Sequence, residues 1–190
     1  GSYAFHKDTS LESVVWNEGL EEIAYRAFLD CEKLSSISIG DEDAVAGTAK
    51  MPKSLKKYEG FGNNKLFKGY KAIKKVVFEE GTTTIPENLL SESDYVEAVE
   101  IPDTVTTIEN AAFAEMPLLT SITIPASVTS IGSYAFHQDT SLESVTWNEG
   151  IETLDSNIFV GDKALKLCDY GREKCSISRY YGYGLIAYAD

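Results

Sequence analysis

Phe5, Phe28, Phe67, Leu90, Phe113, Phe136 and Phe159 follow one another at steps of 23, 39, 23, 23, 23 and 23 residues. A fixed period of this length is one structural unit copied along the chain. Each copy forms one turn of a solenoid, cannot bury its apolar face alone, and depends on stacked neighbours for a core. The recurring residues are therefore mostly scaffold, and function belongs to the exposed faces.

The unit from Leu119 to Leu142 reads as a strand, a turn, a second extended piece and an aromatic plug. In L-x-x-I-x-I the last two apolar positions keep the period of two of a strand with one buried face. Six copies follow the rule: Leu11/Val14/Trp16, Leu34/Ile37/Ile39, Ile73/Val76/Phe78, Val96/Val99/Ile101, Leu119/Ile122/Ile124 and Leu142/Val145/Trp147. Pro52, Pro102 and Pro125 end one kind of strand by fixing φ and removing a ladder donor. Gly19, Gly81 and Gly150 mark the other exit, in Glu-Gly pairs that permit a positive φ. An apolar residue then re-enters the core at Ile23, Ile85, Ile108, Ile131 or Leu154. The 39-residue step holds 16 extra residues: about 12 from Gly40 to Met51 and four near Gly60 to Asn64. Both insertions are expected to form loops on a functional edge.

The pattern L-x-x-I-x-I-P-x-S-V-x-x-I-G-x-x-A-F, met in IPDTVTTIENAAF, IPASVTSIGSYAF and NEGLEEIAYRAF, resembles the BspA-like (Treponema-type) leucine-rich repeat over nearly the whole chain. The resemblance implies a repeat solenoid, a right-handed superhelix with short parallel β-strands on its concave face. Turns and short helical pieces would lie elsewhere. It further implies a surface or secreted protein of a host-associated bacterium, similar to adhesins that bind host or bacterial surface proteins.

One solenoid domain is expected over residues 1–190, with repeats in 1–167 and a C-terminal cap in 168–190. Gly1 to Ile23 and Gly132 to Leu154 match at 18 of 23 positions, so the chain starts in mid-unit. That start is the expectation for a piece of a longer array, or an engineered start, with any signal or anchor outside it. After Phe159 the repeat decays. The segment from Arg172 to Asp190 reads as a short helix-like stretch and then alternating Leu185, Ala187 and Ala189, resembling the family's closing tail. Its Tyr180, Tyr181, Tyr183 and Tyr188 suit cap packing better than sugar stacking.

The net charge of −13 is unevenly spread. Nine lysines and one acid lie between Lys50 and Lys75, a segment of about +8. This girdle, with Lys50, Lys53, Lys56, Lys57, Lys68, Lys71 and Lys75 as candidates, either attracts acidic glycans, cell-wall polymers or an acidic protein patch, or is a solvated face that relieves self-repulsion. The global charge and the lack of a recognition motif argue against nucleic acid. No apolar run approaches a membrane span.

Catalytic signals are sparse. His6 and His137 are one repeat position in two near-identical copies, and no zinc spacing, nucleophile elbow or phosphate loop is present. No cofactor is expected. Asp41, Glu42 and Asp43 lack the spaced oxygens of an EF-hand and read as a solvated acidic loop. Trp16 and Trp147 are inward strand positions and fill the core. Cys31 reads as a small buried side chain. Cys168 and Cys175 either bridge the last strand to the cap or stay reduced.

What remains is a binding surface. The outward strand positions, among them Ser36, Ser38, Ser121, Thr123, Ser144 and Thr146, form a shallow Ser/Thr trough without Trp, Tyr or Arg anchors. A tight contact should therefore recruit the Gly40 to Met51 segment and the neighbouring lysines. The expected function is a non-catalytic protein-binding module. The alternative is a glycan-binding or spacer module of a larger exported enzyme.

Overall fold

The computed structural model describes residues 1–40, 43–60, 65–147, 150–151, 153–154, 157–165, 167–170, 173–178 and 186–188, with 153–154 and everything from 167 onward in backbone only. From the N-terminus the strands are β1 (Ser13–Trp16), β2 (Glu22–Ile23), β3 (Ser36–Ile39), β4 (Thr48–Met51), β5 (Lys57–Tyr58), β6 (Lys75–Phe78), β7 (Thr84–Ile85) and β8 (Ala98–Glu100). They continue as β9 (Thr107–Ile108), β10 (Ser121–Thr123), β11 (Ser130–Ile131), β12 (Ser144–Trp147), β13 (Thr153–Leu154), β14 (Leu167–Tyr170), β15 (Glu173–Ser178) and β16 (Ile186–Tyr188).

The strands fall into two parallel rows, the arrangement of a β-solenoid of about six turns. The main row runs β1-β3-β4-β6-β8 and then β10-β12-β14. Its registers repeat the sequence period: Val76 lies beside Val99, and Ile122 beside Val145. Because side chains alternate across a strand, one face of each strand enters the core. Ile37, Ile39, Val76, Phe78, Ile122, Ile124, Val145 and Trp147 are buried there. The second row consists of two-residue strands at the re-entry positions, β7-β9-β11-β13, with β2 paired to β5. Ile23, Ile85, Ile108 and Ile131 are buried, as the spacing from the Phe predicts.

The aromatic plugs complete the core. Phe5 stacks on Phe28 at 5.1 Å, Phe113 on Phe136 at 5.2 Å, and Phe136 on Phe159 at 5.5 Å. Around five of the seven plugs the backbone carries a feature that the sequence does not announce. The residues two before and two after the plug are left-handed: Tyr3 and Lys7, Arg26 and Asp30, Asn88 and Glu92, Ala111 and Glu115, Tyr134 and Gln138. Alternate N–H groups thereby face the following coil, as in Ala111 to Ser133 O, Phe113 to Ala135 O and Glu115 to His137 O. The buried turn is thus a third hydrogen-bonded ladder, which satisfies backbone groups that burial would otherwise strand.

Two expectations are corrected. Thr48–Met51 is not part of a loop but a main-row strand, paired with β6 so that Ala49 meets Val76 and Met51 meets Phe78. Ala49 and Met51 are fully buried because they supply the two inward side chains that this level needs. The 39-residue step therefore divides: Ile37 is level with Ala49, 12 residues on, and Ala49 with Val76, 27 residues on. The coil of β3 is truncated and, among the described residues, lacks a second-row strand. At the far end, Glu173–Ser178 is a strand antiparallel to β14 where the sequence suggested helix. Among the described residues the connections are turns and irregular segments, without helix.

Candidate functional site

Ser121, Thr123 and Thr146 are exposed on the outer face of the main row and Ser144 is half-buried. The β10–β12 register sets Ser121 beside Ser144 and Thr123 beside Thr146, a two-by-two patch of small hydroxyl side chains. The trough does not extend to β3. Ser36 and Ser38 are only 7% and 1% exposed, so they are not available to a partner. The truncated coil explains this correction. With β2 paired directly to β5, the chain leaving β3 has no place on the core side, and residues 43–46 of its return are all exposed. A return over the outer face, the side left to it, would account for the cover on the two serines. Asp43 is exposed on it, while Asp41 and Glu42 lie outside the described residues.

Beside the hydroxyl patch the main row opens. β8 and β10 are neighbours in the solenoid without a ladder between them, and a groove of about 870 Å³ takes its place. Glu97, Glu100 and Asp103 stand on one side, Ser121, Thr123 and Ser127 on the other. Val99 and Ile101, inward positions whose counterparts elsewhere are buried, are only partly buried here. The sequence identified the two hydroxyl positions but not this opening, because Val96/Val99/Ile101 fits the strand pattern as well as any copy.

The lysine girdle is spent on neighbouring coils. Lys53 reaches Glu79, Lys56 Glu21, Lys57 both Glu22 and Glu59, Lys65 and Lys68 Glu92, Lys74 Glu97, and Lys75 Glu100. At least seven of the nine lysines are thus ion-paired. Lys71 is exposed and Lys50 half-buried on β4. All of these glutamates but Glu59 come from the acidic remainder of the chain, in which residues 76–147 contain 12 Asp and Glu and no Lys or Arg.

In four copies the slot three residues after the plug holds a side chain that ties adjacent coils. Cys31 Sγ donates to Phe5 O at 2.9 Å, and Tyr70 Oη donates to Phe28 O. Asp139 Oδ1 accepts from Met116 N–H at 2.7 Å, and Asp162 Oδ1 accepts from Asp139 N–H at 2.8 Å. The second oxygen of each carboxyl is buried without a hydrogen bond. Burial pushes Asp162 up to about 8, against the pull of its one backbone bond. Asp139 is also raised well above the usual range, first by burial and further by the charges of Asp162 and Glu115. These carboxyls are neutral pins of the scaffold, since an ionised buried carboxylate needs more partners than they have.

Trp16 and Trp147 are buried core residues, and Cys31 is a buried free thiol. In backbone register Cys168 lies opposite Cys175; their side chains, and Tyr180, Tyr181 and Tyr183, lie outside the described residues. Among the described residues no three His, Cys, Asp or Glu converge on a possible metal site, and no helix is long and apolar enough to cross a membrane.

A leucine rich cell surface protein from Faecalibacterium prausnitzii A2-165 is similar at 27% identity and TM-score 0.54, over 77% of this chain and 42% of that one. A leucine-rich repeat protein from Bacteroides ovatus ATCC 8483 (23% identity, TM-score 0.60, 82% and 39% covered) shares the fold. So does the pneumococcal vaccine antigen PcpA (19%, 0.59, 84% and 45%). The chain therefore spans less than half the length of each of these three proteins. No curated protein matches it in sequence. The model of the BspA type leucine rich repeat region matches in six copies over residues 1–48 and 62–181. With those copies falling on the coils described above, the chain belongs to the BspA-type leucine-rich repeat family.

Proposed function

We propose that this chain is a non-catalytic protein-binding module, secreted or displayed at a bacterial surface. The observation that carries the reading is the outer face of the main row, where small hydroxyl side chains border an open groove, beside the likeness to a cell surface protein. Small side chains let a partner's backbone approach closely, and the groove supplies the concavity that the flat trough lacks. Residues 1–190 are read as one solenoid domain, its last coil closed by the antiparallel strands β14, β15 and β16. An acidic glycan is disfavoured as the partner, because the lysines that would hold it are already shared with glutamates.

The test is capture of purified host-matrix and bacterial surface proteins by the immobilised chain, compared with a Ser121→Arg/Thr146→Arg variant. Both substitutions are outward and leave the core intact. Loss of capture with an unchanged unfolding midpoint is the expected result. Equal capture by the variant removes this face from the model, and reproducible turnover of any substrate by the isolated chain removes the non-catalytic reading.

A further inference from the structure

The geometry points to the gap between β8 and β10 as the docking site for an extended segment of a partner protein, which adds there as a β-strand with apolar residues alternating with Lys or Arg. The inference rests on the protein-binding reading and specifies what is bound and how.

Three observations meet at this gap. The first is the missing ladder. Elsewhere in the row Glu97 N–H bonds to Lys74 O at 2.8 Å, and Glu143 N–H to Thr120 O at 2.8 Å. The equivalent bond, Thr120 N–H to Glu97 O, is not made. Alternate residues of a strand in a parallel ladder turn their N–H and C=O to the same neighbour. Ile124 N–H bonds to Thr146 O at 2.7 Å, so Ser121 and Thr123 turn their backbone groups toward β8, into the groove. Two strand edges that no ladder joins thus flank one opening, the condition under which a peptide is taken up by strand addition.

The second is the apolar floor. Val99 and Ile101 are partly buried where their counterparts Val76, Phe78, Ile122 and Ile124 are fully covered. Alternate side chains of an added strand would cover them. Behind this floor the coils stay joined, since Thr107 pairs with Ser130, Ile108 with Ile131, and Phe113 stacks on Phe136. The opening is therefore a wedge on one face, which an added strand would spread to two strand spacings while the coils stay joined behind it.

The third is charge. The groove lies in the 72 residues that carry 12 acids and no Lys or Arg. Glu97 and Glu100 are shared with Lys74 and Lys75, while Asp103 on the same rim is exposed. An acidic rim beside small hydroxyls favours a cationic segment and repels an acidic one.

The probe is an array of short synthetic peptides in which Val, Ile or Thr alternates with Lys or Arg, with acidic counterparts and versions N-methylated at alternate amides. Binding is read by fluorescence anisotropy on the full chain. Cationic peptides should bind, and N-methylation should weaken them about tenfold or more, the equivalent of one or two lost hydrogen bonds. An Ala98→Cys/Ser121→Cys variant, oxidised, should close the wedge and abolish binding, and reduction should restore it. Thr123→Pro provides a second route, because it removes an N–H that faces the groove and not the β12 ladder. It should lower affinity about tenfold and leave the unfolding midpoint unchanged. No binder in the array, equal affinity of the oxidised and reduced forms, or indifference to N-methylation overturns the inference. So does a concentration-dependent dimer that the bridge dissolves, since a second copy would then be the occupant. Surface-protein capture that survives the bridge sinks the groove but leaves the wider reading standing. Peptide binding without any such capture does the reverse.

Discussion

Replacing Asp162 with Asn isolates one proton's contribution to the stability of the stack. The side chain is buried, its Oδ1 holds Asp139 N–H, and Oδ2 has no hydrogen bond. An unfolded aspartate titrates at about 3.9, whereas the folded group titrates at about 8. The folded state therefore keeps a proton that the unfolded chain has already released. The stability linked to it is complete below pH ~4 and is lost as the pH rises toward the folded value. The loss is up to about 1.4 kcal/mol per pH unit, or about 3 kcal/mol between pH 5 and 7. Asp139 acts with the same sign. Glu21 and Glu59, held low by Lys56 and Lys57, act in the opposite sense and only in more acidic solution, so they leave this window clear. Asn keeps the acceptor for Asp139 N–H and is neutral throughout. Urea unfolding followed by the fluorescence of the buried Trp16 and Trp147 should show wild-type stability falling from pH 5 to 8. Asp162→Asn should have a shallower slope, by about one proton, and higher stability at pH 7.5. Equal slopes in the two proteins, or a flat wild-type profile, would refute a buried neutral carboxyl at this position.

Three further outcomes are expected. Phe136→Ala removes a fully buried ring stacked between Phe113 and Phe159 and should cost about 3–5 kcal/mol in chemical denaturation, against a much smaller loss for Phe5→Ala, whose ring is 43% exposed. Gly132→Ala should destabilise by about 1–3 kcal/mol, because a Cβ there would lie 2.8 Å from Asn110 N and 2.9 Å from Glu109 C, backbone atoms that cannot swing aside; an unchanged thermal midpoint would contradict that crowding. Glu92→Gln leaves Lys65, with a side chain only 9% exposed, short of its counter-charge and should cost about 1–3 kcal/mol in the same assay.

The period of the Phe residues made the rows legible, because a solenoid repeats one burial pattern and period-two positions such as Ile122 and Ile124 carry it openly. Met51 shows where that reading fails. Thr-Ala-Lys-Met has the alternation of a strand but not the large branched residues that mark the other copies, and a counted surplus of residues is naturally taken for a loop. The lysines were legible as a cluster, but their partners were not, since Glu79, Glu92 and Glu97 are brought to them by coil stacking and not by nearness in sequence. The left-handed turn positions were hidden for another reason. Only Gly69 and Gly161 of the slot two after the plug are glycines, and the interlocked turns hold Lys7, Glu115 and Gln138 in the same conformation. The groove beside Val99 depends on how two coils splay, a relation that no single copy encodes.

The short coil of β3 has a geometric consequence of its own. Among the described residues, the main row holds two strands between β1 and β6, while the second row holds one between β2 and β7. An extra half-layer that ends inside a regular stack is an edge dislocation, familiar from crystals. Its mismatch of one strand spacing, about 4.8 Å, must be taken up as an angle between the coils before and after it. Any rod-like ligand spanning that level would follow a bent track, and excising the 12 added residues should straighten it.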